Sequence, residues 1–149
     1  MPVSVTYAVM SALKTRLAAR AGLAGVQIVI GTPWQPEADY IAIHEADPHD
    51  QRPAGMRALP GPREEEFWLG VMVSSIRKGD ADHSEAVARA YTLAAELEDE
   101  LGDDPTINAS LGGGWAQIDG LPVTTHWLED GTREARIAGR VKCRSRITG

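Results

Sequence analysis

Apolar residues recur every three or four positions from about Thr6 to Ala21, through Tyr7, Met10, Leu13, Leu17 and Ala21. That spacing predicts a helix with one buried face. Ser4 or Thr6 can cap its start, and Gly22 follows its end. Lys14, Arg16 and Arg20 fall in its second half, where the helix dipole favours cations. The β-branched run Val26–Ile30, closed by Gly31-Thr32-Pro33, predicts a strand and a turn, and Tyr40–Glu45 predicts a second strand. Between Asp47 and Arg63 no period survives, and Pro48, Pro53, Gly55, Pro60, Gly61 and Pro62 crowd together. This predicts a long loop, of the kind that commonly carries function. Alternation resumes over Glu64–Ile76, with Phe67, Leu69, Val71 and Val73 on one face and Trp68, Gly70, Met72 and Ser74 on the other. A second helix begins near Asp82, where Asp82 and Glu85 match a capping box, and runs through Val87, Ala90, Tyr91, Ala94, Leu97 and Leu101 to Gly102. Gly112-Gly113-Gly114 reads as a hinge-like turn. Trp115–Ile118, Leu121–Leu128 and Arg133–Ile147 read as strands, the last two joined by an Asp130-Gly131 hairpin turn.

The last strand is the most informative. Ala135, Ile137, Gly139, Val141, Cys143, Ser145 and Ile147 share one face, small or apolar. Arg136, Arg140, Lys142, Arg144 and Arg146 share the other, where successive positions lie about 6.6–6.8 Å apart. Extended, this segment spans roughly 50 Å. A globule of this chain length has a diameter of about 40 Å. The strand must therefore bend, break at Gly139, or reach onto a neighbour, which is a reason to expect an oligomer. The row of cations stands in water, or faces phosphates or carboxylates.

Charge weighs on that choice. The chain is acidic, with a formal net charge of −6, whereas free-standing nucleic-acid binders are usually basic. The second helix ends in Glu96, Glu98, Asp99 and Glu100, against its dipole. Such an end is either solvated or meets a basic surface on another subunit. Carboxylates of a sister copy are thus the more economical partner for the cations. Composition is that of an ordinary single globular domain over residues 1–149, with no membrane span and no secretory signal. Cys143 is the sole cysteine, which excludes an intrachain disulfide and a cysteine-rich zinc site. It points to the apolar face as a small core residue.

Candidate chemistry is thin. His44, Asp47 and His49 form a ligand-rich run, but it straddles a strand end and Pro48, and no second cluster supports a metal. The glycine triplet lacks the lysine of a phosphate-binding loop. Ser74, Ser75 and Ser110 lack a nucleophile elbow, and His83 and His126 stand alone. We expect no cofactor, no metal and no catalytic residue. Of the four tryptophans, most are expected in the core, while Trp68 and Trp127 suit a contact surface between chains.

The order of elements resembles the tail-terminator and head–tail joining proteins of long-tailed bacteriophages. An N-terminal helix runs into GLAGVQIVIGTPW. EEEFWLGVMVSSIRKGD leads directly into the helix SEAVARAYTLAAELEDEL. GDDPTINASLGGGW follows, and a long basic strand closes the chain. The likeness covers nearly the whole length as a pattern of elements and turns.

The resemblance implies an α+β fold: a mixed, mainly antiparallel sheet with two principal helices packed on it and a long C-terminal β-hairpin, built to form rings. It implies a virion protein, assembled in the host cytoplasm, that forms a homohexameric ring at the head-proximal end of the tail tube. Its partners would be sister copies, the tail tube protein and the head connector. DNA would pass through the bore without sequence-specific binding. Arg136, Arg140, Lys142, Arg144, Arg146, Trp68 and Trp127 would be contact residues, and Glu96, Glu98, Asp99 and Glu100 an acidic bore or partner patch. Two alternatives stay open. One is another neck, minor tail or head-completion protein. The other is a small α+β metal-dependent hydrolase using His44, Asp47 and His49.

Overall fold

A computed structural model describes residues 6–53, 63–78, 82–119, 122–127 and 132–147, with side chains throughout except at 47–53, 63 and 147. The elements run α1 (Thr6–Ala18), a 3-10 turn (Ala21–Leu23), β1 (Gln27–Ile30), β2 (Asp39–Pro53), β3 (Arg63–Arg77), α2 (Ser84–Asp103), β4 (Trp115–Asp119), β5 (Val123–Trp127) and β6 (Arg133–Ile147). The strands form one open sheet in the order β1-β2-β3-β6, and β4 and β5 both pair with the far side of β6. Only β1 and β2 are parallel; the remaining pairs are antiparallel. The expected mixed, mainly antiparallel α+β sheet is therefore the observed one.

Both helices lie on one face. Val9, Met10, Leu13 and Leu17 of α1 and Ala86, Ala90, Leu93, Ala94, Leu97 and Leu101 of α2 share a core with Ile41, Ile43, Phe67, Leu69, Val71, Val73, Ile137, Val141 and Cys143. Each strand thus turns its alternate apolar residues to the helices and the intervening ones away. Three residues expected on the buried helix faces fall outside them: Tyr7 is 70% exposed, Tyr91 49%, and Ala21 is exposed in the 3-10 turn beyond the end of α1. Each tyrosine lies one position off the stripe that packing selects, Thr6–Met10–Leu13–Leu17 in α1 and Ala86–Ala90–Leu93–Leu97 in α2.

The sheet corrects the loop expectation and decides among the alternatives left open for the last strand. The unpatterned stretch does not begin as a loop, because residues 47–53 continue β2, paired with β3 from His49↔Phe67 to Pro53↔Arg63. A register shift between Ala46 and His49 accommodates the intervening residues. β1 covers only Tyr40–Ile43 of β2. Beyond it β2 has no second partner strand among the described residues, and Pro48 and Pro53 are tolerated at such an edge. Residues 54–62 lie outside the described set. The last strand does not break at Gly139 either: β6 pairs with β3 without a register shift from Arg133↔Arg77 to Ile147↔Arg63. Its length is taken up within the chain by β3 on one side and by β5 and then β4 on the other. Strand length alone therefore does not demand a neighbour.

The glycine triplet is not a free hinge. Arg146 N donates to Leu111 O at 3.2 Å, so the 104–114 turn lies directly on β6. A Cβ at Gly114 would collide with the Arg144 carbonyl, and one at Gly112 would crowd the Arg146 carbonyl. The Asp130-Gly131 hairpin turn lies outside the described residues.

Candidate interaction surface

Register places the far-side residues in rows across the sheet. Tyr40, Ser74 and Arg136 form one row, and Ala42, Met72 and Ala138 the next. His44, Gly70, Arg140 and Asp119 follow, then Trp68, Lys142 and Gln117, then Glu66, Arg144 and Trp115, and last Glu64 and Arg146. The five cations therefore do share one open face, as the alternation requires.

They do not stand as a bare row. Arg140 lies over the Trp68 ring at 4.3 Å, with the Lys142 ammonium at 5.7 Å from the same ring. Each such contact contributes about 0.5–1 kcal/mol at an exposed site. Lys142 and Arg144 both reach Glu66, at 3.6 and 3.4 Å. Arg136 sits 2.7 Å from the buried Glu134, which also accepts a hydrogen bond from Ser74 Oγ at 2.9 Å. Arg146 makes no ion pair among the described residues. Neighbouring β3 thus relieves much of the repulsion that the sequence alone suggested. The side chains of Arg140, Arg144 and Arg146 stay exposed. On this face, Thr32, Pro33, Tyr40, Ala42, His44, Met72 and Arg136 line a shallow pocket of about 280 Å³.

The acidic helix end finds its partner inside the chain, in a place the sequence reading did not name. Arg20 donates to Glu96 at 2.9 Å and to Glu100 at 2.8 Å, and Arg16 also pairs with Glu100. Glu100 is buried. Gly22 lies against the Glu96 carboxylate, where a side chain would collide with it. Arg16 near the end of α1, with Arg20 just beyond it, therefore balances the C-terminal anions of α2 across the helix pair. Glu98 and Asp99 alone of the four candidates remain exposed.

Trp127 projects from β5 at 62% exposure and is held from two sides. Its ring meets His83 edge-on at 4.9 Å, and Arg133 stacks at 4.4 Å. His83 Nε2 in turn lies 2.9 Å from the His126 carbonyl oxygen. This cluster ties β5 to the start of α2. None of the four tryptophans is buried: Trp34 is 93% exposed and Trp115 40%, and Trp68 is half-buried. The core expectation for them fails because aliphatic residues of the helices and strands already fill the interior. Trp34, with Tyr7, Lys14 and Ile30, borders an open groove along β1 that sequence patterning missed.

The other polar clusters are structural. Asp39 joins Arg77, Arg89 and Ser75 at 2.9–3.0 Å, tying β2 and β3 to α2. Burial works to raise the Asp39 pKa, but the hydrogen bonds from Arg77, Arg89 and Ser75 outweigh it and hold the carboxyl below its ordinary range. Burial pushes the Cys143 thiol up to about 12, so it is a core residue and no nucleophile at neutral pH. His44 Nδ1 lies 2.9 Å from the Glu45 carbonyl oxygen. The side chains of Asp47 and His49 are outside the described set. Among the described residues no three His, Cys, Asp or Glu side chains gather as metal ligands would. The surface exposes cations and aromatic rings and gathers no catalytic constellation among the described residues.

No protein-family model matches the chain, and no curated protein matches it. A solved structure does: a protein from the virion of a native gene transfer agent particle, at 18% identity and a TM-score of 0.51, over 97% of this chain and all of that one. A second solved structure aligns at 16% identity and a TM-score of 0.45 over 96% of each chain. The first likeness is one of fold, and it extends from end to end.

Proposed function

We propose that the chain is a structural virion protein of the tail-terminator kind. In this reading, copies form a ring, of six in the resembled family, at the head-proximal end of a tail tube. The ring ends tube polymerisation and presents a surface to the head connector, while DNA passes through its centre. The work is done by shape and contact, without bond chemistry. The observation that carries the reading is the end-to-end match of this fold to a protein built into a virion. The element order that resembles tail terminators supports it from the sequence side.

The surface is suited to that task. On the sheet Arg140 lies over the Trp68 ring, so a partner that docks there meets a cation and an aromatic surface side by side. The test is to assemble particles without this chain and image them by negative stain. Tubes of uncontrolled length with unattached heads are expected, with normal tails restored when purified protein is added. Heads joined to tails of normal length would overturn the reading. Tails of normal length without heads would move the chain to a neck or head-completion role.

A further inference from the structure

We infer that successive copies pack the open face of the sheet against the outer face of α2, head to tail. Tyr91 of one copy sits in the sheet-face pocket of the next, and Glu98 and Asp99 meet that copy's Arg140 and Arg144. The inference rests on the ring reading above and adds which two surfaces meet. It gives Glu98 and Asp99 to the neighbour and not to the bore.

Three observations carry it. The first is charge. The fold is a two-layer slab whose opposite sides carry opposite sign. Among the described residues, Arg140, Arg144 and Arg146 are exposed on the sheet side against Asp119 and the half-buried Glu66, which pairs with Arg144, whereas Glu98 and Asp99 are exposed on the helix side near Lys14, and Glu85 and Asp103 there pair with Arg77 and Arg20. Two sheet faces, or two helix faces, would repel each other; a sheet face and a helix face attract. Such a contact is heterologous, and a heterologous contact closes into a ring when its rotation permits.

The second is shape. Tyr91 is 49% exposed near the middle of α2, and its exposed helical neighbours Ala88, Thr92 and Ala95 are small. They would let the helix lie close to a flat surface, with the phenol as the one projection. The pocket opposite holds about 280 Å³. Ala42 and Met72 give it an apolar floor, and His44 and Arg136 stand within it for the phenol oxygen.

The third is spacing. Glu98 and Asp99 lie about 10–12 Å along the helix from Tyr91. On the sheet, Ala138 shares the pocket's row with Ala42 and Met72. Arg140 and Arg144 lie about 7 and 20 Å further along β6, so they bracket the carboxylates of a helix laid along the strand.

The experiment is a charge swap in the full chain. Mass photometry and light scattering would follow wild type, Arg140→Glu/Arg144→Glu, Glu98→Arg/Asp99→Arg, and an equimolar mixture of the two variants, in about 50 mM salt, where screening is weak. Circular dichroism would confirm folding. Wild type is expected to assemble, and each variant alone to weaken assembly by about tenfold or more. The mixture should recover assembly, because both contacts then pair opposite charges. In parallel, Tyr91→Cys mixed with Ala138→Cys should form a disulfide between the two different variants under oxidation.

Variants that assemble like wild type, or a mixture that stays apart, would overturn the inference. So would a wild-type chain that stays monomeric, or cysteine variants that cross-link only to themselves or not at all. The role at the tube end is judged separately by tail length, so either result can fail without the other.

Discussion

Gly114 shows how far a single position can be constrained by something distant in sequence. Its Cα lies so close to the Arg144 carbonyl that any side chain must push β6 away. Gly114→Ala should therefore cost about 1–3 kcal/mol, read as a lowered denaturant midpoint. Ala109 is the opposite case. It is exposed and sits at φ 59°, following Ile107 and Asn108 in the same left-handed region. Asp104 holds that turn by accepting hydrogen bonds from the Thr106 hydroxyl and from the Asn108 backbone N–H at 2.7 Å. Glycine suits this backbone better than alanine, so Ala109→Gly should stabilise by about 0.5 kcal/mol, net of the entropy glycine adds to the unfolded chain. Cys143, fully buried with its thiol pushed up to about 12, should resist a thiol reagent in the native state. It should react only once denaturant unfolds the chain.

At the scale of elements, the end of α2 separates structural from outward-facing carboxylates. Glu100 accepts from Arg16 of α1 and from Arg20 just beyond its end and is buried, while Glu98, two residues away, faces solvent. Glu100→Ala should leave Arg16 and Arg20 short of their partner and cost about 1–3 kcal/mol. Glu98→Ala should change the stability of a monomer by less than about 0.5 kcal/mol. Chemical denaturation of the two variants side by side checks the distinction. Equal losses would mean that α1 and α2 are not joined by this network. The acid cluster thus reads as one patch in sequence and as two in space: one half clamps the helix pair, and the other is left to meet something else.

For the whole molecule, the carboxylates that clamp elements together set the response to acid. Asp39 is held below its ordinary pKa against the opposing effect of burial, and Asp104 is held low chiefly by the Thr106 hydroxyl. A carboxyl whose folded pKa is depressed stabilises the fold above its unfolded value of about 3.9, and the contribution is lost as pH falls through the lower folded value. Their contribution is complete at neutral pH, so the melting temperature should not vary with pH there through these groups and should fall below about pH 4. Asp39→Asn should lower the neutral-pH melting temperature and flatten the acid slope. A slope identical to wild type would remove Asp39 from the account. Much of this architecture was written locally. The period of two over Arg133–Ile147 set that strand, its buried face and its cationic face, and the period near 3.6 set both helices, because alternation and helical spacing are properties of neighbours in the chain. Other features were decided only by assembly. Residues 47–53 became strand because β3 offered them hydrogen bonds. The acidic helix end found Arg16, 84 residues away from Glu100. Whether the tryptophans were buried depended on how much interior the aliphatic residues had already filled. Each of these turns on which distant segments come into contact, and no local period in the sequence encodes that.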